Sequence, residues 1–141
     1  MTYMSPQKQN DLLDVIGRRI ILRVLLEEIK SAKFFIVLAD EVTATNIEHL
    51  AIRVRFVDRA SDIREEFLTF EQLNRVTGQH IADAITHYLQ ENGLQLENIR
   101  GQGYDGASNM FSTCVGVHAR IQEVAPKATY VHCSGHCLNL Q

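Results

Sequence analysis

Two aspartates stand where carboxylates can do chemistry. Asp40 ends the apolar run "KFFIVLAD", and Asp105 lies inside "GQGYDG", residues 101–106. An acid at the end of an apolar strand costs free energy unless a partner or a cation binds it, whereas Asp105 taken alone is typical of a turn or a helix cap. Two close carboxylates repel, and a divalent cation relieves the repulsion while it polarises phosphate oxygens and activates water. Because hard oxygen ligands favour Mg²⁺ or Mn²⁺, the pair predicts a metal site.

The glycines of "GQGYDG" also fit the G-x-G-x-x-G spacing of a dinucleotide-binding loop. That loop requires a strand before it, a helix after it and an acid about 20 residues further on for the ribose hydroxyl. The chain has no Asp or Glu after Glu123. The sequence therefore predicts no dinucleotide ligand.

The segment "HCSGHC", residues 132–137, places four soft metal ligands within six residues. A structural zinc site usually needs two ligand pairs separated by a loop, and Cys114 is the sole thiol elsewhere in the chain. Buried cysteines and a packed histidine are the alternative. Cys133 and His136 stay candidates because they follow the last strand of the predicted sheet.

Four arginines cluster on or near a predicted hairpin, at positions 53, 55, 59 and 64. Such groups are commonly solvated and ion-paired, and Glu65 and Glu66 are available as partners. The alternative is a face that contacts phosphates, for which Arg53 and Arg55 are the candidate DNA contacts.

The order of elements decides which of these residues meet. Apolar periodicity predicts a helix over residues 10–30 and another over 77–92, and it predicts strands at 33–40, 49–58, 63–73, 97–105 and 128–133, with a further helix before Pro126. Short turns join the first three strands into an antiparallel meander, and helices join the later strands in parallel. This α/β order is that of a ribonuclease H-like mixed five-stranded sheet with flanking helices. It makes the first and fourth strands parallel neighbours, so Asp40 and Asp105 share one mouth of the sheet.

Composition limits the class of protein. The 141 residues are 45% hydrophobic, and 14 basic against 17 acidic residues give a net charge of −3. These values indicate a folded domain and argue against a strongly basic nucleic-acid-coating module. Three cysteines and the lack of a signal-like segment indicate an intracellular compartment, and no apolar run is long enough to span a membrane. We expect a helix in residues 1–32 to precede a partial core in residues 33–141, truncated before the last catalytic helix.

The motifs resemble those of one family. They are "SPQKQNDLLDVIGRRI", "FFIVLADEVTATN", "HLAIRVRFVD", "REEFLTF", "GQGYDGASNM" and "VHCSGHCLNL". In order and spacing they are similar to the hAT (hobo, Activator, Tam3) superfamily of DNA transposases. Within it they most resemble the transposase-derived domain of MYM-type zinc-finger proteins and of a THAP-type repressor.

The resemblance implies a nuclear protein with a catalytic core that cuts DNA with three acids and Mg²⁺ or Mn²⁺. Asp40 matches the first acid, Asp105 matches the second, and Cys133 and His136 match neighbours of the active site. The third acid, a Glu on a later helix, has no match in the chain. We therefore expect a fragment of a transposase-like domain that is itself inactive, with DNA as the partner of the intact parent. The alternative is a domesticated nuclear regulator that binds DNA or protein, or associates with itself, without catalysis.

Overall fold

Five strands form one mixed sheet in the computed structural model, which describes residues 5–104 and 116–132. The strands are β1 (Phe35–Ala44), β2 (Ile47–Val57), β3 (Ile63–Gln72), β4 (Ile99–Tyr104) and β5 (Thr129–His132). Their order across the sheet is β3-β2-β1-β4-β5. The predicted mixed sheet, with three antiparallel strands followed by parallel ones, is confirmed.

The first three strands form the meander. β1 and β2 pair from Phe35↔Phe56 to Ala44↔Ile47. Thr45 and Asn46 link them with φ values of 51° and 60°, which is the left-handed pair of a two-residue type I′ turn. The prediction that β1 ends at Asp40 is wrong, because the antiparallel ladder with β2 carries the strand four residues beyond the apolar run.

Helices connect the parallel strands. α3 (Gly78–Glu91) and a short 3₁₀ turn (Leu96–Asn98) lead from β3 back to β4, which pairs in parallel with β1. Thr77 caps α3, since its hydroxyl accepts a hydrogen bond from the amide of His80. α4 (Val117–Val124) then leads to β5, which pairs in parallel with β4. The predicted start of that last helix lies outside the described residues.

A long helix precedes the sheet. It comprises α1 (Pro6–Asp14), a π-helical segment (Val15–Ile21) and α2 (Leu22–Ala32). It begins four residues before the predicted start, because Ser5 accepts a hydrogen bond from the amide of Lys8 and Pro6 suits the first helical position. The buried residues of α2 are Leu25, Leu26 and Ile29, whereas α1 buries none.

The two faces of the sheet differ. The helix-covered face carries the core residues of β1 and β2, which pack with α2, α3 and α4; these strand residues are Phe35, Val37, Ala39, Leu50, Ile52, Val54 and Phe56. The opposite face, here called the open face, carries Val57, Ile63, Phe67, Phe70 and Val131, whose exposed fractions run from 46% to 74%. Alternation along each strand assigns side chains to one face or the other. Asp40, Arg53 and Arg55 belong to the open face by this register.

Candidate functional site

The candidate site lies where β1 and β4 run side by side. Their parallel ladder extends to Leu38↔Gly103, and Asp40 follows Leu38 by two residues on the same face. Asp40 is still inside β1, opposite Ala51 of β2. The structure thus brings the first predicted acid to the parallel junction, although the strand continues past it.

The carboxylate of Asp40 has little polar company among the described residues. Its side chain is half-buried, and it makes no hydrogen bond or ion pair with any residue in 5–104 or 116–132. A half-buried carboxylate without such a partner depends on water or a cation for its solvation. Glu41 faces the other way, opposite Leu50, as strand alternation requires. Of the two adjacent acids, Asp40 is therefore the one available to a ligand on the open face.

The other three predicted site residues, Asp105, Cys133 and His136, lie outside the described residues. The last described residues before them are Tyr104 and His132, which form the final pair of the β4–β5 ladder. Both strands are parallel to each other, so the chain leaves them at the same edge of the sheet. Among the described residues, no group of three or more metal-binding side chains occurs.

The two candidate DNA contacts share one carboxylate. Glu65 of β3 accepts hydrogen bonds from Nε and Nη2 of Arg55 at 3.1 and 2.6 Å, and from Nη1 of Arg53 at 3.4 Å. Two guanidinium groups against one carboxylate leave the cluster positive. Nε of Arg53 is buried and has no hydrogen-bond partner. The structure places this cationic cluster on the open face, with Arg53 opposite Leu38, two residues from Asp40.

The glycines of "GQGYDG" allow β4 to lie close against β1. A Cβ added to Gly103 would come within 2.6 Å of Cδ2 of Leu38, and one added to Gly101 within 3.2 Å of Cγ1 of Ile36. Side chains of β1 therefore occupy the space above both glycines. This close contact gives the glycines a role in packing β4 against β1.

Two buried polar residues next to the site escaped the sequence analysis. Gln102 is fully buried, and its amide nitrogen donates to the carbonyl oxygens of His118 and Ala128, both at 3.1 Å. Gln102 thereby ties β4 to α4 and to the segment that enters β5. Tyr104 is also fully buried, its hydroxyl has no hydrogen-bond partner, and burial raises the pKa of that hydroxyl well above its usual value. The only sequence signal was a polar and an aromatic residue placed between glycines in a strand.

Two further observations concern the class of the molecule. No helix among the described residues is long and apolar enough to cross a membrane. Residues 1–116 match the family model DUF4371, which is the ZMYM1/FAM200, RNase-like domain. The match covers most of the chain, including all of the antiparallel meander and β4.

Two repressors are similar in sequence over almost the whole chain. It is 31% identical over 139 residues to the 52 kDa repressor of the inhibitor of the protein kinase of Homo sapiens, and 32% identical over 138 residues to the Mus musculus protein of the same name. These alignments cover 98% and 97% of this chain. The chain spans 18% of the length of each relative.

The family match and the topology agree. A mixed sheet with a meander followed by parallel strands is the arrangement that the sequence predicted for a ribonuclease H-like domain, and the matched model carries an RNase-like description. The relatives also agree with the MYM-type and repressor proteins that the motifs resemble, while the narrower hAT placement stays a prediction. The chain belongs to the DUF4371 family of RNase-like domains.

Proposed function

We propose that this chain is a transposase-derived domain of a nuclear regulator, which binds DNA through the open face of its sheet without cutting it. The observation that supports this function most is the cluster of Arg53, Arg55 and Glu65, which places excess positive charge on an uncovered face. Arginine guanidinium groups bind phosphates in a bidentate manner. The repressor names of two relatives favour regulation over cleavage.

Binding to a labelled DNA duplex, followed by fluorescence anisotropy, tests this function. We expect the double substitution Arg53→Gln with Arg55→Gln to weaken binding about tenfold and to reduce the salt dependence by about one unit of slope per phosphate contact. Arg59→Gln is the matched control, because Arg59 donates to Ser31 of α2 on the side of the helices. Equal losses in the control and the double variant would show non-specific charge attraction and would contradict a site on the open face.

A second candidate function is the catalytic core of a hAT-type transposase in the intact parent protein. The observation in its favour is Asp40, a half-buried carboxylate with no described partner, two residues past the parallel ladder. In this proposal Asp40 and Asp105 hold Mg²⁺ or Mn²⁺. Such an ion supplies charge stabilisation and an activated water, and the two aspartates would position it against a phosphate. Oxygen donors of this kind fit these ions.

The metal proposal is tested by titrating the chain with Mn²⁺ and following the free ion by electron paramagnetic resonance. Asp40→Asn and Asp105→Asn are each expected to weaken binding at least tenfold, whereas Asp83→Asn, an exposed acid on α3, leaves it unchanged. An experimental structure with the two carboxylates more than about 8 Å apart would contradict ions that lie roughly 4 Å from each other.

Cleavage of supercoiled plasmid separates the two functions. We expect no nicking by the 141-residue chain, because the third acid implied by the resemblance has no match in it. Mg²⁺-dependent nicking that Asp40→Asn abolishes would establish catalysis and overturn the regulatory proposal. Nuclear localisation follows from either function, and a tagged full-length protein that stays out of the nucleus would contradict both.

A further inference from the structure

The N-terminal helix carries an apolar stripe that the rest of the described chain leaves exposed. Its members recur at helical spacing from the end of α1 to the start of α2, and they are Leu12, Leu13, Ile16, Ile20, Ile21 and Val24. Their exposed fractions lie between 38% and 67%. Scattered exposed hydrophobic residues are ordinary, but a continuous row of six on one helix is typical of an interaction site.

Gly17 lies near the middle of this helix stripe and has no internal explanation. Glycine weakens a helix interior, so its presence there calls for a compensating role. An added Cβ would meet nothing within 4 Å, and the backbone is not left-handed there. Nothing in the described fold therefore requires the absence of a side chain at this position. A small residue at the centre of an apolar stripe allows a second helix to approach closely.

Charges at the two ends of the helix stripe select the partner. Lys8 lies one turn before Leu12, and Glu27 lies one turn after Val24. Glu27 is 69% exposed and forms only a surface ion pair with Lys30, at 3.3 Å. In an antiparallel pair of identical helices, Lys8 of one copy lies beside Glu27 of the other. In a parallel pair, each charge would face its own like charge.

We propose that the helix stripe binds the same stripe of a second copy of this chain, with the two helices antiparallel and crossing near Gly17. Such a contact is self-complementary and closes as a two-fold dimer, so it covers the apolar row in both copies at once. It uses α1, the π-helical segment and the first turn of α2, and it leaves the open face of the sheet uncovered. The proposal is independent of the metal and DNA sites.

Sedimentation equilibrium of the 141-residue chain over a range of concentrations tests the dimer. We expect the mass of two chains at the highest concentrations, and we expect Gly17→Gln and Ile20→Gln each to raise the dimer dissociation constant at least tenfold. Glutamine is a better helix former than glycine, so Gly17→Gln preserves the helix while it blocks close approach. Ile63→Gln on the open face is the matched control and leaves the dimer unchanged. Monomers at every concentration, or a dimer that only Ile63→Gln weakens, would overturn the proposal.

Charge reversal tests the antiparallel direction. Lys8→Glu and Glu27→Lys are each expected to weaken the dimer about three- to tenfold, as exposed ion pairs doubled by symmetry would. The double variant is expected to restore wild-type affinity, because each reversed charge again faces its opposite. If both single variants dimerise normally, or if the double variant is weaker than either, the antiparallel contact is wrong. Helical circular dichroism of every variant verifies that loss of the dimer does not come from unfolding.

Discussion

Gln102 and Tyr104 are alternate residues of β4 and belong to the helix-covered face, but they meet burial differently. The amide nitrogen of Gln102 reaches two carbonyl oxygens, one in α4 and one before β5. The hydroxyl of Tyr104 finds no partner, although its ring lies 6.2 Å from that of Tyr130. A buried hydroxyl that makes no hydrogen bond costs free energy. Tyr104 therefore packs as an aromatic ring at the expense of its polar group.

This difference predicts that Tyr104→Phe stabilises the fold. Removing an unpartnered buried hydroxyl is expected to raise the free energy of unfolding by about 1 kcal/mol, measured by urea denaturation. The matched control is Tyr88→Phe, because the hydroxyl of Tyr88 donates to the carbonyl of Leu68, and its removal is expected to cost about 0.5–1 kcal/mol. Loss of stability in Tyr104→Phe would show that the hydroxyl is solvated or bonded in solution.

The β1–β2 hairpin is the element that extends β1 beyond Asp40. Its two-residue turn requires left-handed backbone at both central positions, where Asn and Gly are the favoured residues. Thr45 occupies the first of them with φ 51°, and a β-branched residue in that region is strained. Its hydroxyl donates to the carbonyl of Ala44 at 2.7 Å, which offsets part of the cost. The hairpin thus forms because the ladder on both sides compensates an unfavourable turn.

We expect the double substitution Thr45→Asn with Asn46→Gly to stabilise the protein by about 1 kcal/mol, since Asn-Gly matches the type I′ turn. Thermal and urea unfolding measure the change. Asn46→Ala is the opposing control, because it puts a residue that disfavours positive φ at the second position and is expected to destabilise. A double variant less stable than the wild type would contradict the type I′ geometry.

The whole molecule is a sheet with one covered and one open face. The core lies between the sheet and α2, α3 and α4, and it contains Ile81, Ile85 and Leu89 of α3. The open face holds the candidate site together with exposed apolar residues. This arrangement separates stability from function, because substitutions on the open face remove few buried contacts.

One substitution on each face measures that separation. Ile85→Ala, at a fully buried position of α3, is expected to cost about 2–5 kcal/mol of unfolding free energy through the cavity it leaves. Ile63→Ala on the open face, where the side chain is 74% exposed, is expected to change stability by less than about 0.5 kcal/mol. A large loss in Ile63→Ala would show that the open face is covered in solution.

Local patterns made most of the fold predictable. Alternation in β2 and helical spacing in α3 identified both elements, and the short links between the first strands against the helical links later on led to the mixed topology. The end of β1 was misplaced because the apolar run stops at Asp40, while hydrogen bonds to β2 continue to Ala44. The helix start was misplaced because Ser5 and Pro6 form a cap several residues before the first apolar residue of the stripe.

The amino-acid sequence by itself determined which segments become strands and helices, and it brought Asp40 to the parallel junction, because periodicity and link length are local properties. Only the tertiary structure decided that Arg53 and Arg55 share Glu65, that Leu38 lies over Gly103, and that Gln102 bonds to two distant carbonyls. The exposure of the helix stripe was also decided at that level. Each of these depends on strand register and on how distant segments pack, and local spacing carries no information about either.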